Sequence, residues 1–147
     1  RWSRILAAED ENGVVTTYSY DDLGRLTAVV RPLDSASCGG GPCAVQRLDY
    51  VEGVAGTPSR ISTKLREPNA GDGYRNVETF FDGLGRRLAT KQFQYVDGIG
   101  QFVEREAVSF DAAGRVTATF APFDSAAPLT VYVSPVPTGA RTVIEYD

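Results

Sequence analysis

Three aspartates stand in one spacing, each with a glycine three residues on and an arginine four residues on: Asp21 with Gly24 and Arg25, Asp82 with Gly85 and Arg86, Asp111 with Gly114 and Arg115. Carboxylates of this kind could serve as acid–base pairs or as calcium ligands. Their long and irregular separation along the chain places no two of them together, and no D-x-D-x-D-G ligand ladder is present. An aspartate at a turn more often accepts hydrogen bonds from the backbone that follows it, and that is the favoured reading here. The three arginines could read an anionic ligand. The competing reading is a solvated strand face or ion pairs to neighbouring repeats.

Cys38 and Cys43 bracket Gly39-Gly40-Gly41-Pro42. Two thiolates without histidine make a poor zinc site, since a tetrahedral set would need two carboxylates besides. A disulfide across the Gly-rich loop and a pair of free thiols both fit the spacing. The loop also lacks the Gly-Lys-Ser/Thr ending of a phosphate cradle. With no histidine in the chain, Ser-His-Asp and Cys-His catalysis and imidazole ligation are closed. Trp2 and the seven Tyr and seven Phe residues could stack on sugar rings, although aromatics at strand spacing are more often core. No catalytic constellation of nucleophile, base and orienting group can be assembled. The chain therefore reads as a non-enzyme with no cofactor and no metal.

The elements that must position these residues are strands. The phrase around each aspartate recurs: Tyr20-Asp21-Asp22-Leu23-Gly24-Arg25, Phe81-Asp82-Gly83-Leu84-Gly85-Arg86 and Phe110-Asp111-Ala112-Ala113-Gly114-Arg115, with a fourth copy opening at Tyr146-Asp147. Ahead of the turn, Tyr18 and Tyr20, Val108 and Phe110, and Ile144 and Tyr146 are two apart and share a strand face. Behind it, Leu26, Ala28 and Val30, and Val116, Ala118 and Phe120, continue the alternation. Glycine at the fourth turn position can take the positive φ that closes a hairpin with a bulge. Asn12-Gly13 between two β-type runs is a further turn signal. Arg60-Ile61-Ser62-Thr63, followed by Pro68, reads as a degenerate unit hidden between the first two copies.

The fold expected is all-β: antiparallel strand-turn-strand repeats in a curved or spiralling sheet. One repeat region spans 1–147, in units of roughly 4–34, 44–70, 74–97, 101–124 and 130–147. Loops are expected at Asp34 to Pro42, Gly53 to Pro58, Glu67 to Gly73, Asp97 to Gly100 and Asp124 to Pro128, each rich in Gly, Pro, Ser or Asp. Size alone permits a sizeable core, because a chain of this length can bury about 68–70% of its unfolded surface. The net charge of −4, from 15 basic and 19 acidic residues, argues against a nucleic-acid binder. The longest uncharged run, Ser125 to Ala140, is broken by Pro128, Pro135 and Pro137 and is too short to span a membrane. A chain that opens on Arg1 and holds no methionine reads as a segment of a longer polypeptide.

These phrases resemble the YD repeats, also called RHS repeats, whose pattern is aromatic-Asp-x-x-Gly-Arg between hydrophobic strands. Phe80-Phe81-Asp82-Gly83-Leu84-Gly85-Arg86, Val108-Ser109-Phe110-Asp111 and Ala121-Pro122-Phe123 are similar to the variety found in B components of Tc insecticidal toxin complexes and in SpvB-like and RHS toxins. The stretch Ser35 to Gly56 is the least typical. The resemblance implies a β-sheet that spirals into a hollow shell enclosing a toxin polypeptide, in a protein secreted by bacteria or delivered at their surface. A complete shell needs many more repeats and a self-cleaving aspartate region, so this chain corresponds to a stretch of wall and inherits no self-cleavage.

Two functions from different classes follow as expectations. In one, the chain is a non-catalytic wall segment whose partners are neighbouring repeats and the enclosed polypeptide. In the other, it is an extracellular module that presents aromatics and arginines to glycans or a host surface. The second requires an exposed aromatic cluster, whereas the first does not.

Overall fold

The computed structural model describes residues 3–32, 44–67, 74–96, 99–135 and 139–146. The readings that concern Trp2, Cys38, Cys43, Pro68 and Asp147 lie outside these residues, as do most of the loops expected at 34–42 and 67–73.

Every regular element is a β-strand, and no α-helix occurs among the described residues. The strands are β1 (Ala7–Glu9), β2 (Val15–Tyr20), β3 (Leu26–Val30), β4 (Ala44–Val51), β5 (Ser59–Arg66), β6 (Tyr74–Phe81), β7 (Arg87–Val96), β8 (Ile99–Arg105), β9 (Val108–Phe110), β10 (Val116–Phe120), β11 (Phe123–Ser125) and β12 (Arg141–Val143). Sheet neighbours run in chain order from β1 through β8 and end on β11, while β12, β10 and β9 make a separate three-stranded sheet. The all-β antiparallel expectation is met. It follows from abundant β-branched and aromatic residues at period two, cut at short intervals by Asp-Gly turns.

The chain divides into two compact units, Arg1–Asp49 with Thr63–Arg75, and Tyr50–Ser62 with Asn76–Asp147. In the first, β1 pairs with β2 in the register Ala7↔Thr17, and β2 with β3 in the register Thr17↔Val30. The Tyr74 hydroxyl donates to the Ala44 carbonyl at 2.9 Å, and the Arg47 guanidinium lies 5.6 Å from the Tyr74 ring centre. In the second, β6, β7, β8 and β11 pair successively, and β9–β10–β12 form the smaller sheet.

A register shift recurs behind the repeated phrase. Tyr20 faces Leu26 while Ser19 faces Ala28, Phe81 faces Arg87 while Phe80 faces Ala89, and Phe110 faces Val116 while Ser109 faces Ala118. The extra residue is Thr27, Leu88 or Thr117, in each case two positions after the arginine. The bulge thus falls at the same place in all three hairpins, a feature that in general increases local strand twist.

Two loop expectations are corrected. Ile99 and Gly100 open β8, pairing with Val96 and Tyr95, because the β7–β8 hairpin is longer than its Gly-rich tip suggests. Asp124 and Ser125 belong to β11, where they pair with Val103 and Phe102. Here an available strand edge overrides the turn-forming character of Asp and Ser. The stretch 53–58 is a loop as expected, closed by a hydrogen bond from Thr57 N–H to the Val54 carbonyl at 2.8 Å.

The apolar core is small. Among the described residues the buried hydrophobics are Ala44, Phe80, Ala89, Val103, Ala107 and Ala118, so Phe80 is the one large fully buried apolar side chain. Length permits far more burial than this. Beside these apolar residues the second unit also buries polar and charged groups, Ser62, Glu78, Lys91, Glu104 and Ser125.

Candidate functional site

Each repeated phrase builds the same turn. The Asp N–H donates to the Arg carbonyl and the Gly N–H to the Asp carbonyl, at 3.0 and 2.9 Å in Asp21–Arg25, 3.0 and 3.0 Å in Asp82–Arg86, and 2.9 and 3.0 Å in Asp111–Arg115. The glycines take φ of 85°, 77° and 84°. Left-handed backbone of this kind costs glycine nothing and other residues dearly. The carboxylate completes the loop: Oδ1 accepts from the Arg N–H at 2.8–2.9 Å, and Oδ2 from the Arg Nε at 2.7, 2.6 and 2.8 Å in the three motifs. The aspartates thus act within their own turns. The arginine's ion pair is to its own motif, which departs from the expected bridge between repeats.

What reaches the next repeat is the face of the guanidinium. Arg86 lies 4.2 Å from the ring centre of Phe110, and Arg115 lies 4.4 Å from that of Tyr146. Arg4 stands in the same relation to Tyr20 at 5.6 Å. These are distances at which a cation is attracted to a ring's quadrupole. Where the aromatic is tyrosine, its hydroxyl also donates to the carbonyl of the residue after the stacked arginine, Tyr20 to Ile5 and Tyr146 to Val116, both at 2.9 Å. One step further on, the Leu6 and Thr117 carbonyls accept from the Tyr18 and Ile144 N–H groups at 3.0 and 2.9 Å. The expectation of arginines on a solvated strand face is therefore corrected for Arg86 and Arg115, which cover rings. Delocalised charge lets each satisfy a carboxylate edge-on and cover a ring face-on.

The same arginine also lies against the next motif's glycine. A Cβ added to Gly24 would fall on the Arg4 guanidinium, and one added to Gly114 would lie 2.7 Å from Arg86 Nη1. A further copy of the turn, which the Asn12-Gly13 signal only partly revealed, is Asp10 to Val14. Gly13 has φ of 76° and its N–H donates to the Asp10 carbonyl, while Asp10 Oδ1 accepts from the N–H groups of Asn12 and Val14 at 2.8 and 3.0 Å.

The second polar constellation is a line of charges across β5 to β8. Glu78 faces Lys91 across β6 and β7, and Lys91 faces Glu104 across β7 and β8. Arg60 Nε and Ser62 Oγ hold Glu78 at 3.2 and 2.7 Å. Lys91 and Glu104 are both 0% exposed and 3.3 Å apart. The segment that covers them is tied to them: Lys91 Nζ donates to the Val131 carbonyl at 2.8 Å, and the Val133 N–H donates to Glu104 Oε1 at 3.2 Å. Between these two anchors Tyr132 packs on Phe80, with ring centres 5.6 Å apart. Glu78, Lys91 and Glu104 were not singled out from the sequence; the signal missed is that they sit two positions from Phe80, Ala89 and Phe102 and so share their face.

These environments move the carboxyls in opposite directions. Hydrogen bonds from the Arg25 side chain, and then its backbone, hold Asp21 below the usual carboxylate range. Asp82 meets desolvation first, but the backbone and side-chain bonds from Arg86 outweigh it and the net direction is down. The Arg115 backbone, then its side chain, lowers Asp111. Burial raises Glu104 in spite of Lys91. Burial, and then the Glu104 charge, likewise raises Tyr132.

The consequence for stability has a definite sign. The aspartates' contribution is present above their unfolded value and is lost as pH falls through their lowered folded values. Glu104 behaves oppositely: the native state holds its proton more tightly, so its contribution is complete below the unfolded value of 4.5 and is lost as pH rises through its raised folded value. The urea midpoint, followed by far-UV circular dichroism, should rise on acidification from neutrality and then fall below about pH 4, where carboxylates of aspartate titrate. Glu104→Gln should abolish the rise and keep the fall. An unchanged rise in that variant would place the titrating group elsewhere.

The three aspartates lie in separate turns, and no cluster of three His, Cys, Asp or Glu able to hold a metal occurs among the described residues. No helix among the described residues is long and apolar enough to cross a membrane. Compared with known families, residues 2–36 match the RHS Repeat. That match contains the Asp10 turn, the first full motif and the Arg4–Tyr20 contact; the later motifs repeat its geometry. No match was found among curated proteins or among solved structures.

Proposed function

We infer that this RHS-repeat chain is a non-catalytic length of β-wall, part of a shell that encloses a toxin polypeptide in a protein that bacteria secrete or display. One observation carries the reading. A contact between repeats is reused, Arg86 lying on the Phe110 ring and against Gly114 and Arg115 on the Tyr146 ring, while among the described residues the buried apolar core is almost limited to Phe80 and small residues. A chain built this way derives its burial from neighbours, as stacked repeats do. Aspartates committed to turn backbone and to their own arginines have no capacity left for acid–base work.

Far-UV circular dichroism with size-exclusion chromatography tests this. A wall segment should be β-rich and should self-associate as concentration rises, because open strand edges invite pairing. A strictly monomeric chain with a sharp thermal transition would instead support a free-standing module. One feature favours that second reading: Phe93 and Tyr95, 41% and 74% exposed, meet edge to face with ring centres 5.4 Å apart, and Phe102 lies 5.5 Å from Phe93. Such an aromatic row on the β7–β8 hairpin is a platform on which a sugar ring could stack.

A further inference from the structure

Four turns share the D-x-x-G frame, and the residue ahead of the glycine is Leu23, Leu84 or Ala113 in the complete motifs but Asn12 in the Asp10 turn. The difference is chemical. An asparagine side chain carries its amide carbon where the main-chain nitrogen of the next residue can close a five-membered ring on it. Glycine as that next residue leaves the nitrogen unhindered and the backbone free to turn toward the side chain.

The surroundings of Asn12 leave the pair accessible. Glu11, Asn12 and Gly13 are all exposed. Asn12 is held through its main-chain N–H, which donates to Asp10 Oδ1 at 2.8 Å, while its side-chain amide has no hydrogen-bond partner among the described residues. A Cβ built on Gly13 would meet Glu9 Oε1 at 3.7 Å and nothing closer outside its chain neighbours, whereas an arginine lies against Gly24 and Gly114. One bond opposes the reaction, from the Gly13 N–H to the Asp10 carbonyl at 3.0 Å. The strand that this turn holds is the least anchored in its sheet: β1 is three residues long, exposed throughout and at the sheet edge, and Ile5 and Leu6 ahead of it are 65% and 67% exposed. Such an edge opens locally without global unfolding.

We propose that Asn12-Gly13 is a self-modifying site, at which asparagine converts to isoaspartate and the turn that latches β1 to β2 is released. The Gly13 nitrogen loses its proton to solvent base and bonds to Asn12 Cγ; the Cγ–Nδ2 bond breaks, and the amide nitrogen takes a proton from water and leaves as ammonia. Water then opens the cyclic imide, between Cγ and nitrogen to give aspartate, or between the main-chain carbon and nitrogen to give isoaspartate. A water enters, an ammonia leaves, and nothing is oxidised or reduced. Isoaspartate routes the backbone through Cβ and Cγ and so lengthens the turn by an atom. Asp10 Oδ1 accepts from the Asn12 and Val14 N–H groups at 2.8 and 3.0 Å, and the Asp10 N–H reaches the Val14 carbonyl at 3.1 Å; a loop closed by bonds this short does not admit a longer chain. The new carboxylate also joins Glu9, Asp10 and Glu11, whose like charge it adds to. The site is independent of whether the chain encloses a cargo.

Peptide mapping of the whole chain after incubation in mildly alkaline buffer, with fragmentation that separates aspartate from isoaspartate, tests the chemistry. Isoaspartate should accumulate at position 12, faster as pH rises, while Asn76, followed by the branched Val77, keeps its amide. Hydrogen exchange on the isoaspartyl form tests the consequence: segments 7–10 and 14–18 should lose about tenfold in protection, the factor that corresponds to a turn hydrogen bond, with β7 and β8 unchanged. Asn12→Leu, which places at this position the residue found in the first two complete motifs, should show neither conversion nor loss on incubation. An Asn12 amide that stays intact in the native chain while the urea-unfolded chain converts would overturn the proposal. So would isoaspartate without loss of protection, or an equal loss on incubation of Asn12→Leu; the first two comparisons use the native sequence and stand even if the variant misfolds.

Discussion

Replacing Lys91 with alanine should lower the exchange protection of the β7 and β8 amides by about 3–5 kcal/mol, the usual cost of leaving buried charges without their partner. Lys91 Nζ is shared by Glu104 Oε1 at 3.3 Å and the Val131 carbonyl at 2.8 Å, and Glu78 faces it from the other strand. Its loss leaves a carboxylate and a carbonyl buried together. Glu104 is the worse affected, because its Oε2 has no hydrogen-bond partner and Oε1 would retain only the Val133 N–H. The Val133 amide itself should then exchange faster, as the covering segment loses one of its two anchors. The double variant Lys91→Leu with Glu104→Leu should recover most of the loss, since a buried pair exchanged for apolar groups of similar volume is often near neutral. A cost under about 1 kcal/mol for Lys91→Ala, within the range of exposed pairs, would show that water reaches the pair.

That ladder marks where the sequence ceased to be legible. The turns could be read because their chemistry is local: an aspartate capping backbone and a glycine at positive φ lie within four consecutive residues, although the arginine that follows pairs with that same aspartate and not, as expected, with a neighbouring repeat. The strands could be read from their period of two. By contrast, Glu78, Lys91 and Glu104 become partners only when β6, β7 and β8 align in one register, and nothing in any single strand sets that register. Their burial runs against the general rule that Lys and Glu stay exposed unless paired, and the pairing is visible only in three dimensions.

The contacts between repeats were half legible for a related reason. The aromatic and the arginine both belong to the repeated phrase, yet the arginine that stacks on a given ring comes from the phrase before it, across loops of different length. Arg115 and Tyr146 meet in spite of a connection that includes β11 and the covering segment 131–135. Likewise the Asp10 turn lacks both the aromatic, replaced by Glu9, and the arginine, replaced by Val14, so only its Asp and Gly remain to be recognised. The register shifts at Thr27, Leu88 and Thr117 follow the motif glycine that marked a hairpin with a bulge, but the residues at the shifts carry no mark of their own.

The glycines separate these two layers of design, the local turn and the contact between repeats. Valine at Gly85 should cost about 1–3 kcal/mol, the penalty of a non-glycine residue held in the left-handed region. Valine at Gly24 or Gly114 should cost more, about 2–4 kcal/mol, because the side chain also displaces Arg4 or Arg86 from the surface it covers and from the ring beside it. Asparagine isolates the second effect. It accepts the backbone conformation, so Gly85→Asn should be close to neutral while Gly24→Asn and Gly114→Asn retain the arginine-dependent part of the loss. Urea midpoints of the six variants, compared at one protein concentration, give the answer. Equal losses at all three positions would mean that the arginines add nothing to the join between repeats. Losses confined to Gly24 and Gly114 with asparagine, and graded as above with valine, would show that one residue type closes each turn and also receives the preceding repeat.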